Sequence, residues 1–97
     1  MKKNFDKQEI SLWGVVVGLN YIAYAGGEQE FWEFEIDITD THPSVNKYVT
    51  DRNIRLRRPY SHEYSCMQLY GVAIGDTVSV VYGNSNGGWN PERFYKP

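Results

Sequence analysis

The side chains of this sequence that could do chemistry are mainly charged, and they fall into two rows at alternate positions. One row is acidic and consists of Glu33, Glu35 and Asp37; the other is basic and contains Arg55 and Arg57. Alternate residues of a β-strand point to the same face, so each row would lie on one face of a strand. Carboxylates in such a row could hold a metal ion or a cationic partner, and arginines could hold phosphate groups.

The simplest alternative is that the two rows neutralise each other. If their strands are neighbours, the acidic row forms cross-strand ion pairs with Arg55 and Arg57, each worth about 0.2–1 kcal/mol. Arg52 and Arg58 would still lack partners after such pairing. The sequence leaves both interpretations open.

A nucleophile is the other chemistry to consider. Cys66 is the single cysteine, and His62 lies one helical turn before it if the segment is helical. No third orienting group or oxyanion site accompanies this pair, so we interpret Cys66 as a small buried hydrophobic residue. His42 and His62 do not have the spacing of metal ligands. We therefore expect no catalytic residue, no metal ligand and no cofactor.

Composition limits the classes of protein to consider. The chain has 97 residues, 41% of them hydrophobic and 15% aromatic, and a formal net charge of −2. This length predicts one domain, and the charge disfavours binding of nucleic acid by electrostatics alone. One cysteine excludes an internal disulfide and favours a reducing compartment. No long apolar segment is present, so we expect a cytoplasmic protein that does not enter membranes.

Alternating residues and turn residues predict five strands and one short helix. The strands are expected at residues 10–24, 30–39, 53–58, 77–82 and 89–95, and the helix at residues 62–70. Residues 1–9 form a polar N-terminal extension, and residues 10–97 form a single β-barrel domain. In the second strand Phe34, Ile36 and Ile38 share the inward face with Trp32, and Trp13 is expected in the core as well.

The order strand, strand, strand, helix, strand, strand resembles an OB-fold, a five-stranded Greek-key barrel. Four segments carry the resemblance: residues 14–18 (GVVVG), 34–40 (FEIDITD), 54–56 (IRL) and 75–83 (GDTVSVVYG). The fold class expected is therefore all-β with one short helix. An SH3-like barrel is the rival, favoured if residues 62–70 are extended.

The resemblance implies a non-enzymatic module that binds single-stranded nucleic acid. Its binding residues would be arginines for phosphate and rings for stacking, namely Arg55, Arg57, Arg58, Tyr60, Phe31 and Trp89. Pairing of Arg55 and Arg57 with the acidic row would weaken this prediction.

Two alternatives stay open. One is a protein-interaction module, such as a small inhibitor or adaptor encoded by a phage or mobile element, or a barrel that forms homo-oligomers. The other is a binder of a small nucleotide-like ligand.

Overall fold

The computed structural model describes residues 8–85 and 88–97. Its strands are β1 (Glu9–Ala23), β2 (Glu30–Ile38), β3 (Asn53–Pro59), β4 (Thr77–Ser85) and β5 (Gly88–Tyr95), with helix α1 (Cys66–Tyr70) between β3 and β4. A 3-10 turn (Pro43–Val45) lies in the loop between β2 and β3. All pairings are antiparallel and the strand order is β3-β2-β1-β4-β5. Because β3 and β5 also come into contact, the sheet forms a nearly closed barrel. The predicted all-β barrel with one short helix is confirmed.

The second strand folds as its alternation predicts. Phe34, Ile36 and Ile38 are buried, and they pack with Val78 and Val80 in the core. The intervening acidic residues point outward. Period-two alternation places one face of such a strand in the core and the other in water.

The first strand changes faces along its length. Val16 pairs with Ile36 and Gly18 pairs with Glu35, so Val17 is an extra residue and forms a bulge. Before the bulge the inward residues include Val16, and after it Leu19 packs against the core. The expectation that Trp13 is a core residue is wrong: its side chain is on the outward face and is 48% exposed. Both faces of this strand are apolar, so hydrophobicity does not identify the inward one.

The helix is shorter than predicted. It begins after Ser65, whose side chain accepts from Gln68 N in a capping box, and it ends at Gly71 with φ of 66°. Ser61, just before the predicted start of the helix, accepts from the backbone N–H groups of Glu63 and Tyr64 in a separate turn. A helix in this position disfavours the SH3-like alternative.

The hairpin between β4 and β5 is longer than predicted. β4 continues to Ser85, beyond its predicted end at residue 82, and Asn84 pairs with Trp89 at the start of β5. Asn86 and Gly87 lie outside the described residues, as does most of the predicted polar extension, residues 1–7. Within residues 8–85 and 88–97, none of the helices has the length and apolar character needed to cross a membrane.

Candidate functional site

The acidic and basic rows face each other across β2 and β3. Glu33 pairs in register with Arg57, and Glu35 with Arg55. Arg57 Nε donates to Glu33 Oε2 over 3.1 Å. The Arg55 guanidinium lies 3.9 Å from both carboxylates, that of Glu33 and that of Glu35. Glu33 is therefore shared by two guanidinium groups.

Asn53 completes this outward face, which we call the ladder face. Its Nδ2 donates to Glu35 Oε2 and to Asp37 Oδ1, over 2.8 Å in each case. The three carboxylates of Glu33, Glu35 and Asp37 and the two guanidinium groups of Arg55 and Arg57 together carry a net charge of −1. A polyanion would meet little net positive charge here.

Two aromatic rings stand beside Arg57. Its Cζ lies 5.5 Å from the centroid of Tyr24 and 5.8 Å from that of Phe31, and the two rings meet edge to face. Arg57 also donates to the Tyr24 hydroxyl. The bond to Tyr24, followed by that to Glu33, raises the pKa of Arg57 above its ordinary value. This arginine is held by neighbours on several sides.

The arginines expected to lack partners have them. Arg58 lies with its Cζ 4.9 Å from the centroid of Phe94 and donates to the carbonyl oxygen of Phe94 over 3.4 Å. Arg52 donates to the carbonyl oxygens of Ile38 and Asp40. Both predictions of an unpartnered arginine are wrong, because backbone carbonyls and a ring replace carboxylates as partners.

Tyr60 belongs to an aromatic cluster beyond the end of β3. Its ring centroid lies 4.9 Å from that of Tyr21, 5.3 Å from that of Trp32 and 5.0 Å from that of His62. Glu30 accepts from the Tyr21 hydroxyl and lies 2.6 Å from His62 Nε2. These bonds, that of Tyr21 first, hold the pKa of Glu30 below its ordinary value. The same bond to Glu30 raises the pKa of Tyr21.

A pocket of about 270 Å³ opens between β3 and β5, which we call the seam pocket. It is lined by Tyr48, Thr50, Asp51, Asn53, Ile54, Arg55, Tyr82, Trp89, Asn90 and Pro91. The rings of Tyr48 and Trp89 are nearly perpendicular, at 88°, with centroids 4.8 Å apart. Tyr48 also packs against the core with Val45 and Val49, so these three residues anchor the loop between β2 and β3.

Tyr82 is an unusual member of this lining. Its side chain is 2% exposed, and its hydroxyl has no hydrogen-bond partner among the described residues. Burial raises the pKa of Tyr82; the charge of Arg52 lowers it and that of Asp51 raises it.

A second surface is apolar and lies on the outward face of β1, β4 and β5. Ser79 pairs with Trp13 on one side and with Tyr95 on the other. Trp13 is 48% exposed and Tyr95 51%, whereas Ser79 between them is 6% exposed. Leu69 of α1 is 40% exposed and lines a hollow of about 280 Å³ together with Tyr95. We call Trp13, Ser79, Tyr95 and Leu69 the apolar strip.

The structure places the six residues predicted to bind nucleic acid as follows. Arg55, Arg57 and Phe31 are on the ladder face, and Arg55 also lines the seam pocket with Trp89. Arg58 contacts Phe94, and Tyr60 is in the aromatic cluster.

The ladder face and the seam pocket also contain residues that the sequence analysis did not identify as candidates. Tyr24 joins Arg57 on the ladder face, while Tyr48 and Tyr82 join the seam pocket. No local pattern marks them, because their neighbours come from other strands.

Cys66 is buried, and burial raises the pKa of its thiol. His62, the base considered for it, contacts Glu30 instead. The part of the chain that the structure describes contains no group of three or more His, Cys, Asp or Glu side chains that could hold a metal ion.

Comparison with known protein families, with curated proteins and with solved structures finds no match to this chain.

Proposed function

We propose that this protein is a non-enzymatic binding module that contacts another protein through its apolar strip. The observation that carries the proposal is the row formed by Trp13, Ser79 and Tyr95, in which two exposed rings flank a covered serine. Contiguous exposed apolar surface marks interaction sites, and large aromatic residues are enriched at protein interfaces.

The charge of the ladder face, on β2 and β3, supports the same proposal. Arg55 and Arg57 are engaged by carboxylates, and the ladder face has a net charge of −1 by the count above. Phosphate binding needs positive charge, whereas a protein partner needs apolar area with satisfied polar groups around it. A cytoplasmic location, expected from the single Cys66, is part of this proposal.

The experiment is affinity capture with the purified, tagged protein after nuclease treatment. We expect one protein at constant stoichiometry, and we expect its loss when Trp13 and Tyr95 are changed together to Ser. Tyr24→Ser, an exposed ring outside the strip, is the matched control and should keep the partner. Equal capture by the strip variant and the unchanged protein would overturn the proposal.

The partner could also be a second copy of this chain, which sedimentation velocity would detect. If the partner is a second copy, sedimentation velocity will give a dimer that the double Ser variant lacks. A monomer at all concentrations, together with an empty capture, would leave the strip without a protein partner and refute the proposal.

Single-stranded nucleic acid is the second candidate. It is supported by the order of elements along the chain, three strands, one helix and two strands, on which the OB-fold resemblance rests, and by the Tyr24 and Phe31 rings beside Arg57. The test is the anisotropy of a labelled mixed-sequence oligonucleotide at low salt, with Arg57→Ala as the variant. Absence of binding at low salt would exclude this candidate.

A further inference from the structure

We propose that the seam pocket binds one neutral, planar heterocycle that carries hydrogen-bond donors and acceptors, as a nucleobase does. The pocket is separate in its residues from the apolar strip, so this inference does not depend on the proposed protein partner. Three features of the lining lead to this class of ligand: its rings, its balance of charge and its unpartnered hydroxyl.

The rings provide a stacking surface. Tyr48 and Trp89 stand at 88° to each other with centroids 4.8 Å apart, so they form a corner with two aromatic walls. Trp89 is only partly buried, which leaves part of its indole open to a ligand. A base stacked on an aromatic side chain gains about 1–3 kcal/mol by alanine substitution, whichever base it is.

The charges of the lining favour a neutral ligand. Asp51 and Arg55 line the pocket with opposite signs. Arg55 is already flanked at 3.9 Å by Glu33 and by Glu35, so it offers little charge to an anion. Arg52, whose charge acts on Tyr82, donates to backbone carbonyls. An ion of either sign would meet a like charge, whereas a neutral ring would not.

The polar groups match the edge of a heterocycle. Asn90 supplies an amide group, which both donates and accepts, and Asp51 supplies an acceptor. Asn53 supplies only its amide oxygen as an acceptor, because its Nδ2 donates to Glu35 and to Asp37. Asp51 Oδ1 already accepts from Asn53 N over 3.0 Å, so the carboxylate is oriented by its own loop. Planar rings with several donors and acceptors can be held by such a set, and purely apolar rings cannot use it.

The Tyr82 hydroxyl indicates a ligand independently of the rings and the charges of the lining. A buried polar group without a partner is rare and costs free energy, so an unpaired hydroxyl beside a pocket calls for an explanation. Burial also keeps the phenol in its neutral form, in which it can donate a hydrogen bond. The hydroxyl oxygen is covered in the free protein, so a ligand acceptor supplies the missing partner once the neighbouring lining side chains move aside.

The size of the pocket limits what it holds. Pockets for drug-sized ligands have volumes of about 300–1,000 Å³. A volume of about 270 Å³ therefore suits one ring system with a small substituent, and the rest of a longer ligand would remain in solvent.

The experiment is a titration of the whole protein with thymidine and adenosine, followed by amide and indole shifts in NMR spectra. We expect saturable shifts centred on Tyr48, Tyr82 and Trp89, and no such shifts with ribose 5-phosphate. Tyr82→Phe should bind about tenfold more weakly, because it lacks only the hydroxyl. It should also remain folded with an equal or higher melting temperature, because the group removed has no partner in the free protein.

Trp89→Leu should weaken binding by a similar factor, and Trp13→Leu, which is outside the pocket, should leave it unchanged. Absence of saturable shifts, equal binding by Tyr82→Phe, or equal shifts from ribose 5-phosphate would each overturn the proposal.

A competition experiment with the oligonucleotide dT8 then distinguishes a base within a nucleic-acid strand from a free nucleoside. If dT8 displaces thymidine and loses affinity in Tyr82→Phe, the pocket takes one base of a strand. If dT8 does not compete while thymidine binds, the pocket takes a free nucleoside.

Discussion

Arg57 lies directly opposite Glu33 on the neighbouring strand, and its Nε donates to Oε2 of that carboxylate over 3.1 Å. The same carboxylate lies 3.9 Å from Arg55 Nε. One glutamate thus holds the two arginines that a nucleic acid would need. Its removal is therefore a direct way to ask what these arginines do when released.

Glu33→Gln should increase affinity for single-stranded oligonucleotides at low salt. For each phosphate that a released arginine contacts, the slope of log K against log salt should steepen by about 0.7. Fluorescence anisotropy at several salt concentrations measures both quantities. Glu63→Gln, which makes the same charge change outside the ladder face, is the matched control. Identical affinities and slopes in the two variants would mean that Glu33 does not restrain the arginines.

The ladder face could be predicted because two local patterns in the sequence, one in β2 and one in β3, both indicate it. Hydrophobic residues alternate with charged ones along β2, and the opposite charges recur at the same period in β3. The cross-strand pairs of Glu33 with Arg57 and Glu35 with Arg55 follow once the strands are neighbours. The partners of Arg58 could not be predicted this way, because a ring and a carbonyl oxygen of Phe94 leave no charge pattern in the sequence.

The first strand illustrates a different limit. Apolar residues occupy both of its faces, and the bulge at Val17 exchanges the faces partway along. Trp13 is therefore exposed although it is one of the largest apolar side chains in the chain. Likewise Tyr48 and Tyr82 come from a loop and from β4, so the seam pocket exists only after the barrel closes.

The carboxyl of Glu30 should titrate below its ordinary pKa of 4.5, chiefly because Tyr21 donates to it. A lowered folded pKa means that the stabilisation is fully present above pH 4.5 and is lost as the pH falls through the folded value. The free energies of unfolding in urea of the unchanged protein and of Glu30→Gln should therefore differ above that pH, and the difference should shrink as the pH falls through the folded pKa of Glu30.

Titration of the Glu30 carboxyl provides a second test of its hydrogen bond from the Tyr21 hydroxyl. Carboxyl carbon shifts should give a higher Glu30 pKa in Tyr21→Phe, and Tyr95→Phe should leave the pKa unchanged. If Tyr21→Phe and Tyr95→Phe gave the same pKa for Glu30, the Tyr21 hydroxyl would not be the cause.

Cys66 should resist thiol reagents in the native protein. Its side chain is 6% exposed, and burial raises the pKa of the thiol, so little reactive thiolate reaches solvent. Absorbance after addition of a disulfide reagent should rise slowly in buffer and at once in urea. An immediate stoichiometric reaction in buffer would show that Cys66 is accessible and would reopen the nucleophile hypothesis.

Gly14→Ala should destabilise the barrel, because β1 and β2 approach closely at this position. A Cβ on Gly14 would lie 2.7 Å from Ile36 Cγ2 and 3.0 Å from the carbonyl oxygen of Asp37, and the backbone oxygen cannot move without disturbing the sheet. Overpacking of this kind costs about 1–3 kcal/mol in the free energy of unfolding. Gly88→Ala is the matched control, since no described atom lies within 4 Å of its Cβ position and its φ is not in the left-handed region. Urea unfolding should show a lower midpoint for Gly14→Ala and little change for Gly88→Ala. Equal midpoints would mean that the two strands can separate at Gly14 at little cost, and that the barrel is not tightly packed there.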